Sequence, residues 1–209
     1  MEITARAILA ETLRHLELTG LAMVLAVLVG VPLGLHAARE RALEGPVLAV
    51  VNAVQTIPSL ALLGFLIPLF GIGARPALFA LFLYALLPIV RNTVAGVRAV
   101  DPAVIEAARG MGMRPRQILR RVELPLAMRT IMAGVRTSTV ISIGVATLAA
   151  FIGAGGLGEP IVEGLYLNDA GLILLGAVPA AMLAIVADLG LGRIERALHT
   201  GSRRATATS

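Results

Sequence analysis

The 209-residue sequence predicts an all-α protein that crosses a membrane with five or six helices. Apolar residues make up 57% of the chain, charged residues 15%, and the mean hydropathy is +0.88. An ordinary soluble domain carries roughly 25% charged residues, so that class of protein fits poorly. The apolar residues also form long runs rich in Leu and Ala. Such runs indicate spanning helices and not the alternating pattern of a membrane β-barrel.

Five stretches are candidate spans, because crossing about 30 Å of hydrocarbon takes about 20 helical residues. They are residues 18–38, 45–74, 76–90 (or 76–97 if Arg91 is tolerated), 137–158 and 170–187. The second is long enough to tilt or break within the membrane. Residues 2–15 are charged, and we expect a short interfacial helix there. We expect residues 1–199 to form one transmembrane domain and residues 200–209 a flexible tail.

The basic residues, all of them Arg, predict the orientation. If the segment between the third and fourth spans is cytoplasmic, 13 of the 18 Arg lie on the cytoplasmic side, as the positive-inside rule requires. This arrangement places the N-terminus outside and the C-terminus in the cytoplasm. Arg91 and Arg136 are expected to reach the inner headgroups, with an ion pair inside the bundle as the alternative. Asp188 is expected to be solvated or paired with Arg193. Because the Arg-rich segment has no aromatic residue, we expect a lipid partner and no nucleic acid.

The composition also excludes several kinds of chemistry. There is no Cys, so thiolate metal sites and thiol nucleophiles are excluded. There is no Lys, so the chain has no ordinary P-loop for a nucleotide. His15, His36 and His199 lie far apart and lack metal-binding spacing. We therefore predict no catalytic residue, no metal and no cofactor bound by this chain.

A polar segment at about residues 98–129 separates the third and fourth spans. Asp101 and Pro102 are typical of a helix start, and the Gly-Met-Gly sequence at 110–112 breaks that helix. Pro115 starts a second short helix, which Pro125 is expected to disrupt or end. The segment is thus predicted to be two short helices at an angle on the cytoplasmic surface.

This segment contains a spaced motif. Glu106-Ala107-Ala108 is followed by three residues, Gly112, nine residues and Val122-Glu123-Leu124-Pro125. The pattern resembles the EAA motif of ATP-binding-cassette (ABC) importer permeases and departs from it only in Val122, where the family has Ile. Residues 15–35, 55–73 and 151–165 are also similar to permeases of glycine betaine, carnitine and choline uptake systems. The resemblance implies a type I ABC importer permease in the bacterial cytoplasmic membrane.

The resemblance also implies partners and contact residues. The partners are a second permease copy or a paralogue, two cytoplasmic ATPase subunits that bind ATP and Mg²⁺, and an extracytoplasmic substrate-binding protein. Glu106 would make a polar contact with the ATPase, and Gly112 would permit a sharp turn. The full set implied to couple to the ATPase is Glu106, Ala107, Ala108, Arg109, Gly110, Gly112, Leu124 and Pro125. Headgroup anchoring is the alternative role for Arg109 and its neighbouring Arg residues.

Polar residues on two spans are candidates for a translocation path. Asn52, Gln55, Thr56 and Ser59 share one face of the second span, and Ser138, Thr139 and Ser142 form a similar face on the fourth. A polar face in lipid must meet water or protein. One interpretation is a polar passage between two permeases. The other is interhelical hydrogen bonding with close packing.

The Gly-rich residues 153–158 and the aromatic rings are two further features of the sequence. The Gly-rich residues 153–158 are expected in an external loop, either as a gate or docking lip for the binding protein or as a tightly packed turn. The seven aromatic rings are few and scattered, so tight selection of a quaternary amine is expected in the binding protein.

Alternative functions follow from the same residues. The same machinery could import another small solute, such as methionine, another amino acid or phosphonate. An ion-coupled secondary transporter would need carboxylates in the membrane, and spans one to four contain none. An intramembrane hydrolase would need a base beside its nucleophile, and spans two to five contain no His.

Overall fold

The structure, a computed structural model, describes residues 2–206, with side chains described for residues 6–198. Within that part the chain is helical and has no strand. In chain order the helices are α1 (Glu2–Arg39), α2 (Arg41–Thr56), α3 (Ser59–Phe70), α4 (Ala74–Arg98), α5 (Pro102–Gly110), α6 (Pro115–Ile118), α7 (Leu124–Ala146), α8 (Gly158–Leu167) and α9 (Ala170–Thr206). A π-helical turn, Leu119–Glu123, joins α6 to α7, and a 3₁₀ turn, Thr147–Ile152, extends α7.

The candidate spans agree with the predicted number. Four uninterrupted helical segments are long and apolar enough to cross a membrane: Arg6–Arg39, Ala74–Arg98, Pro115–Ile152 and Ala170–Leu198. The pair α2 and α3 satisfies the same criteria together, which gives up to five spans by length and composition. The all-helical, five-span prediction is therefore confirmed, although individual bounds differ.

The first and last spans are longer than the sequence indicated. The interfacial helix expected over residues 2–15 is not separate, because α1 is one helix of 38 residues. No Gly or Pro interrupts residues 2–19, and the helix formers there let it propagate. Helix α9 continues to Thr206. The flexible tail over residues 200–209 stays a prediction, because its side chains and residues 207–209 lie outside the described part.

Helix α4 forms the centre of the bundle, between α1 and α7. Glycines permit the close approach on both sides. A Cβ at Gly34 of α1 would lie 2.6 Å from the Cβ of Thr93, and one at Gly134 of α7 would lie 2.7 Å from the carbonyl oxygen of Pro88. Helix α9 lies at the edge of the bundle. Only 11% of its most apolar 18-residue stretch is buried, whereas 61% of the corresponding stretch of α4 is buried.

The second span is broken, as its length predicted. Helices α2 and α3 meet at 99° across Ile57 and Pro58. Ile57 is extended, with φ −74° and ψ 126°, because the residue before a proline avoids the helical region. The break is held by α4. The Tyr84 hydroxyl donates a hydrogen bond to the Ile57 carbonyl oxygen, and Gln55 Nε2 donates to the Tyr84 carbonyl oxygen at 2.8 Å.

The fourth span begins earlier than predicted, because Pro125 does not end a helix. Helix α6, the π turn and α7 form one continuous segment from Pro115 to Ile152. In the π turn the Leu124 N–H donates to the carbonyl oxygen of Leu119, five residues earlier. Pro125 therefore falls in the first turn of α7, where a missing N–H costs little. The expectation of a helix end at Pro125 was wrong for this reason.

Candidate functional site

The first half of segment 98–129 is a capped surface helix. Asp101 Oδ1 accepts a hydrogen bond from the Ala103 N–H at 2.9 Å, and Pro102 occupies the first turn of α5. Ala108 is buried. The opposite face is exposed and carries Glu106, Ala107, Arg109 and Gly110. This face offers small residues flanked by charges, which a groove on another protein can approach closely.

A tight turn follows α5, as the Gly-Met-Gly sequence predicted. Gly112 has φ +78°, a region that side chains with a Cβ rarely adopt. The turn is closed by backbone hydrogen bonds from Gly112 N–H to Arg109 O at 2.9 Å and from Met113 N–H to Ala108 O at 3.2 Å. Met111 at its tip is 75% exposed. The turn thus projects an apolar side chain next to the charged face of α5.

The second half of the segment is fixed to α1. Arg39, the last residue of α1, donates from Nη2 to the Pro115 carbonyl oxygen at 3.2 Å and to Glu123 Oε2 at 3.0 Å. Glu123 is the second residue of the Val122-Glu123-Leu124-Pro125 sequence. Leu124 is half-buried and Pro125 is exposed. The segment is therefore held between α4, which precedes it, α7, which continues it, and the end of α1.

The polar face of the second span is divided by the break. Asn52 and Thr56 are exposed on α2, and Ser59 is half-buried at the start of α3. Gln55 bonds to α4, as described above. The Thr56 hydroxyl donates to the Ala53 carbonyl oxygen of its own helix at 2.7 Å. Asn52 and Thr56 are thus the members of this face that a passage or a partner could reach.

The polar residues of the fourth span are mostly internal. Ser138 and Ser142 are fully buried. The Ser138 hydroxyl donates to the Ala85 carbonyl oxygen at 2.8 Å, and the Ser142 hydroxyl lies 3.7 Å from the sulfur of Met23. Thr139 bonds to Val135 within α7 at 2.8 Å. This is the interhelical packing given above as the alternative, and a role of these residues in a passage stays a prediction.

The family follows from a comparison with known proteins. A family model described as "Binding-protein-dependent transport system inner membrane component" matches residues 30–200, which include all the candidate residues above. The chain belongs to this family. As a member of these inner membrane components, it sits in the membrane beside other subunits, and the resemblance stated from the EAA-like motif is confirmed.

Other members of the family are close in sequence. The chain is 48% identical over 192 residues to the glycine betaine/carnitine/choline transport system permease protein OpuCD of Bacillus subtilis (strain 168), covering 91% of this chain and 84% of that protein. It is 50% identical over 191 residues to the choline transport system permease protein OpuBB of the same organism, covering 91% and 88%. It is 47% identical over 189 residues to the osmoprotectant import permease protein OsmW of Salmonella typhimurium, covering 88% of each.

Solved structures agree on the fold of this inner membrane component. A chain of the MetNI methionine ABC transporter in an inward-facing conformation superposes with a TM-score of 0.86 at 26% identity, and the match covers 95% of this chain and 99% of that one. An amino acid ABC transporter gives a TM-score of 0.77 at 20% identity, covering 92% and 94%, which bears on the fold alone. The predicted type I importer permease fold is confirmed.

Three groups of contacts were missed by sequence reasoning. Asp188 pairs with Arg136 instead of Arg193, so the ion pair given above as the alternative for Arg136 is present and its partner is Asp188; two opposite charges at the ends of apolar stretches were the available signal. Phe79 lies 5.1 Å from Phe70 and 5.9 Å from Phe82 between ring centroids, so these rings are clustered and not scattered. The third group joins the Gly-rich residues 153–158 to α1 and is described below.

Proposed function

We propose that this chain is the membrane-spanning permease subunit of an ABC importer that carries a quaternary-ammonium osmoprotectant into the cell. The candidate solutes are glycine betaine, carnitine, choline and proline betaine. Support comes from relatives named for glycine betaine, carnitine and choline transport, which are 45% to 50% identical to nearly the whole chain. The chain itself would be non-catalytic, and ATP and Mg²⁺ would be bound by a separate ATPase.

The observation that carries the proposal is the exposed face of α5 on a segment that is fixed to three spans. In this proposal α5 binds a groove on one of two cytoplasmic ATPase subunits, where Glu106 makes a charged contact and Ala107 allows close approach. Gly112 sets the angle between α5 and the following helix through its positive φ. Leu124 and Pro125 continue the segment into α7.

Force from the ATPase would reach the membrane as a rigid-body displacement. Helix α6 passes into α7 without a break, so a displacement of α5 acts directly on the fourth span. Helix α4 enters α5 through only three residues, 99–101. Arg39 adds α1 to the same connection. A short and multiply connected element of this kind transmits motion better than a long loop.

The orientation proposed for the chain follows from its charges. With segment 98–129 in the cytoplasm, the N-terminus lies outside and the C-terminus inside. The opposite end of the bundle carries α8 and the acidic residues Glu159, Glu163 and Asp169. An extracytoplasmic substrate-binding protein would approach from this end.

A second permease copy or a paralogue would complete the passage. Asn52 is an exposed polar group within a candidate span, and lipid leaves an exposed amide poorly satisfied. Thr56 is exposed one turn later on the same face, with its hydroxyl bonded to Ala53. We place them against the passage or the partner permease. The Phe70–Phe79–Phe82 cluster lines a cavity of about 360 Å³ together with Arg75. Because a guanidinium repels a quaternary ammonium group, this cavity is a poor cation site, which leaves tight selection to the binding protein.

Uptake measurements test the proposal. The permease is reconstituted in proteoliposomes with its ATPase and binding protein, and accumulation of labelled glycine betaine, choline, carnitine and methionine is compared with and without ATP inside. We expect ATP-dependent uptake of at least one quaternary amine and not of methionine. Uptake of methionine alone would favour the second candidate, an amino acid importer, which the fold similarity to the MetNI transporter supports.

A further inference from the structure

Helix α1 contacts the α7 segment at both of its ends. At one end Arg39 bonds to Pro115 and Glu123, just before α7. At the other end Glu11, Arg14 and His15 contact the end of α7 and residues 153–158, the glycine loop, which follows the 3₁₀ turn. Twenty-eight residues of continuous helix separate Glu11 from Arg39, so the two contacts lie roughly 42 Å apart. They therefore join the same two elements at opposite ends of the bundle.

The contact with the glycine loop consists of polar bonds from one face of α1. Glu11 and Arg14 lie three residues apart and share that face. Glu11 Oε2 accepts a hydrogen bond from the Gly156 N–H at 2.6 Å, and Arg14 Nε donates to the Ala154 carbonyl oxygen at 3.2 Å. Both bonds join a charged side chain to the backbone. Charge-assisted hydrogen bonds of this kind are stronger than hydrogen bonds between neutral groups.

His15 extends the same contact to α7. The side chain is fully buried, and its Nε2 lies 3.1 Å from the Ile143 carbonyl oxygen. Since a carbonyl oxygen only accepts, Nε2 carries the hydrogen. Among the described residues Nδ1 has no hydrogen-bond partner. It faces Gly156, where an added Cβ would lie 3.1 Å from it. The ring thus packs between α1, α7 and the loop.

The backbone of the glycine loop suits this contact. Gly153, Gly155 and Gly156 have φ of +70°, +82° and +90°, values that glycine adopts at little cost. This conformation presents the Gly156 N–H to Glu11. The Ile152 carbonyl oxygen at the start of the loop accepts a hydrogen bond from the Gly73 N–H at 2.8 Å. The loop is therefore fixed both to α1 and to the turn before α4.

We propose that Glu11 and Arg14 are positioning residues that, together with Arg39, make α1 and α7 one rigid strut. The strut carries a displacement of segment 98–129 to the glycine loop at the far end of the bundle. Two helices joined at one end could diverge at the other, whereas joining at both ends makes them move together. The inference rests on the proposed importer function, because the displacement is the one that an ATPase would impose.

A distance measurement tests the strut directly. The chain has no native Cys, so Leu13→Cys and Leu126→Cys are the labelling sites on this chain, which is labelled before assembly with the other subunits; these positions are 59% and 46% exposed. Because 17 helical residues separate Leu126 from Ile143, the labels lie on the order of 25 Å apart. In the assembled transporter, pulsed electron resonance is recorded without nucleotide and with ATP trapped by vanadate. We expect the distance to change by less than roughly 2 Å, the size of ordinary helix shifts. A larger change overturns the strut.

Three variants on α1 separate positioning from folding. Glu11→Ala removes the acceptor for the Gly156 N–H, so uptake per ATP hydrolysed is expected to fall roughly two- to thirtyfold, the range for residues that alter coupling without touching ligand. ATP hydrolysis itself is retained. Glu11→Gln keeps an acceptor oxygen and is expected to retain most uptake. Glu17→Ala is the matched control: among the described side chains Glu17 bonds to Arg14 Nη1, at 2.6 Å, and not to the glycine loop, and Arg14 reaches the loop through Nε, so uptake is expected to be retained.

The outcomes are distinguishable from those of the proposed function. The positioning role is contradicted if uptake per ATP hydrolysed is unchanged in Glu11→Ala. It is also contradicted if this ratio falls equally in all three variants. If the unmodified assembly hydrolyses ATP but takes up none of the solutes tried, the importer function fails, and the distance measurement still tests the strut.

Discussion

Arg136 and Asp188 form a two-bond ion pair between α7 and α9, in which Nε and Nη2 of Arg136 each lie 2.7 Å from an Asp188 carboxylate oxygen. Glu195 Oε2 accepts from Nη1 of the same guanidinium at 3.2 Å. Gly192 leaves room for the group, because a Cβ there would lie 3.1 Å from Arg136 Cζ. Charges within candidate spans are thereby neutralised in pairs. This network adds polar attachments between α9 and α7 to the packing of α9 against α7 and α8.

The ion-pair network predicts that removing Arg136 destabilises the protein more than removing Asp188. Arg136→Leu leaves Asp188 without its guanidinium and leaves Glu195 with the more distant Arg129, whose Nε lies 3.9 Å from Oε1, whereas Asp188→Leu leaves Arg136 bonded to Glu195. We therefore expect Arg136→Leu to lower the apparent unfolding temperature by several degrees, and more than Asp188→Leu does. Thermal unfolding in detergent, followed by size-exclusion chromatography, measures both. Arg91→Leu is the control, since Arg91 is exposed and makes no ion pair within residues 6–198. A larger loss in Asp188→Leu would contradict the assignment.

The exposed face of α5 predicts a coupling defect. Glu106→Arg reverses the charge offered to the ATPase, and Gly112→Pro forbids φ +78°. Each variant is expected to reduce ATP-driven uptake at least about tenfold, equivalent to about 1.4 kcal/mol, while membrane insertion stays normal. Co-purification of the ATPase, uptake and membrane content are measured together. Glu40→Arg reverses an exposed charge near the same end of the bundle and is expected to bind the ATPase normally. Normal docking in Glu106→Arg would disprove the contact.

Local signals in the sequence predicted much of the coupling segment. Asp101 and Pro102 start α5 as expected, because capping depends on neighbouring residues only. The turn at Gly112 was predictable for the same reason. Pro125 was misinterpreted, since a proline that ends one helix also fits the first turn of the next. The π turn that makes the helix continuous has no signal in the local pattern.

Contacts between residues far apart in the chain could not be predicted from the sequence. Glu11 and Gly156 lie 145 positions apart, and neither residue type indicates the other. The burial of Ser138 and Ser142 was equally hidden, because a polar face on a span satisfies its hydrogen bonds equally well against water or a neighbouring helix. Hydropathy predicted the spans and their number, and packing alone determined which polar faces are internal.

The contact between Arg39 and Glu123 predicts a charge-swap rescue. Arg39→Glu or Glu123→Arg places like charges 3.0 Å apart in the present geometry and is expected to reduce uptake. The double variant restores opposite charges and should recover a large part of it. The effect on unfolding free energy is expected to stay at about 1 kcal/mol or less, because Arg39 is partly exposed. Arg41→Glu, an exposed neighbour, is the control. Additive losses in the double variant would show that the pair does not act as a unit.

Glu159 at the start of α8 predicts a pH-dependent stability. Partial burial raises the pKa of its carboxyl group, and the nearby Glu11 and Glu163 carboxylates raise the pKa further. A carboxyl whose pKa is higher in the folded state binds its proton more tightly there. Its contribution therefore favours folding at low pH and is lost as pH rises through the folded-state pKa.

Glu159→Gln should accordingly stabilise the protein at pH 7.5, where the native carboxylate is ionised against its neighbours. We expect the free energy of unfolding to rise by less than about 1 kcal/mol, because water screens the charge of this exposed side chain. The gain should vanish near pH 4, at roughly the ordinary pKa of Glu. Glu163→Gln relieves only part of the repulsion and is expected to give a smaller gain of the same sign. Thermal unfolding of the three proteins across this pH range measures the difference, and a destabilised Glu159→Gln at pH 7.5 would reverse the sign and disprove the assignment.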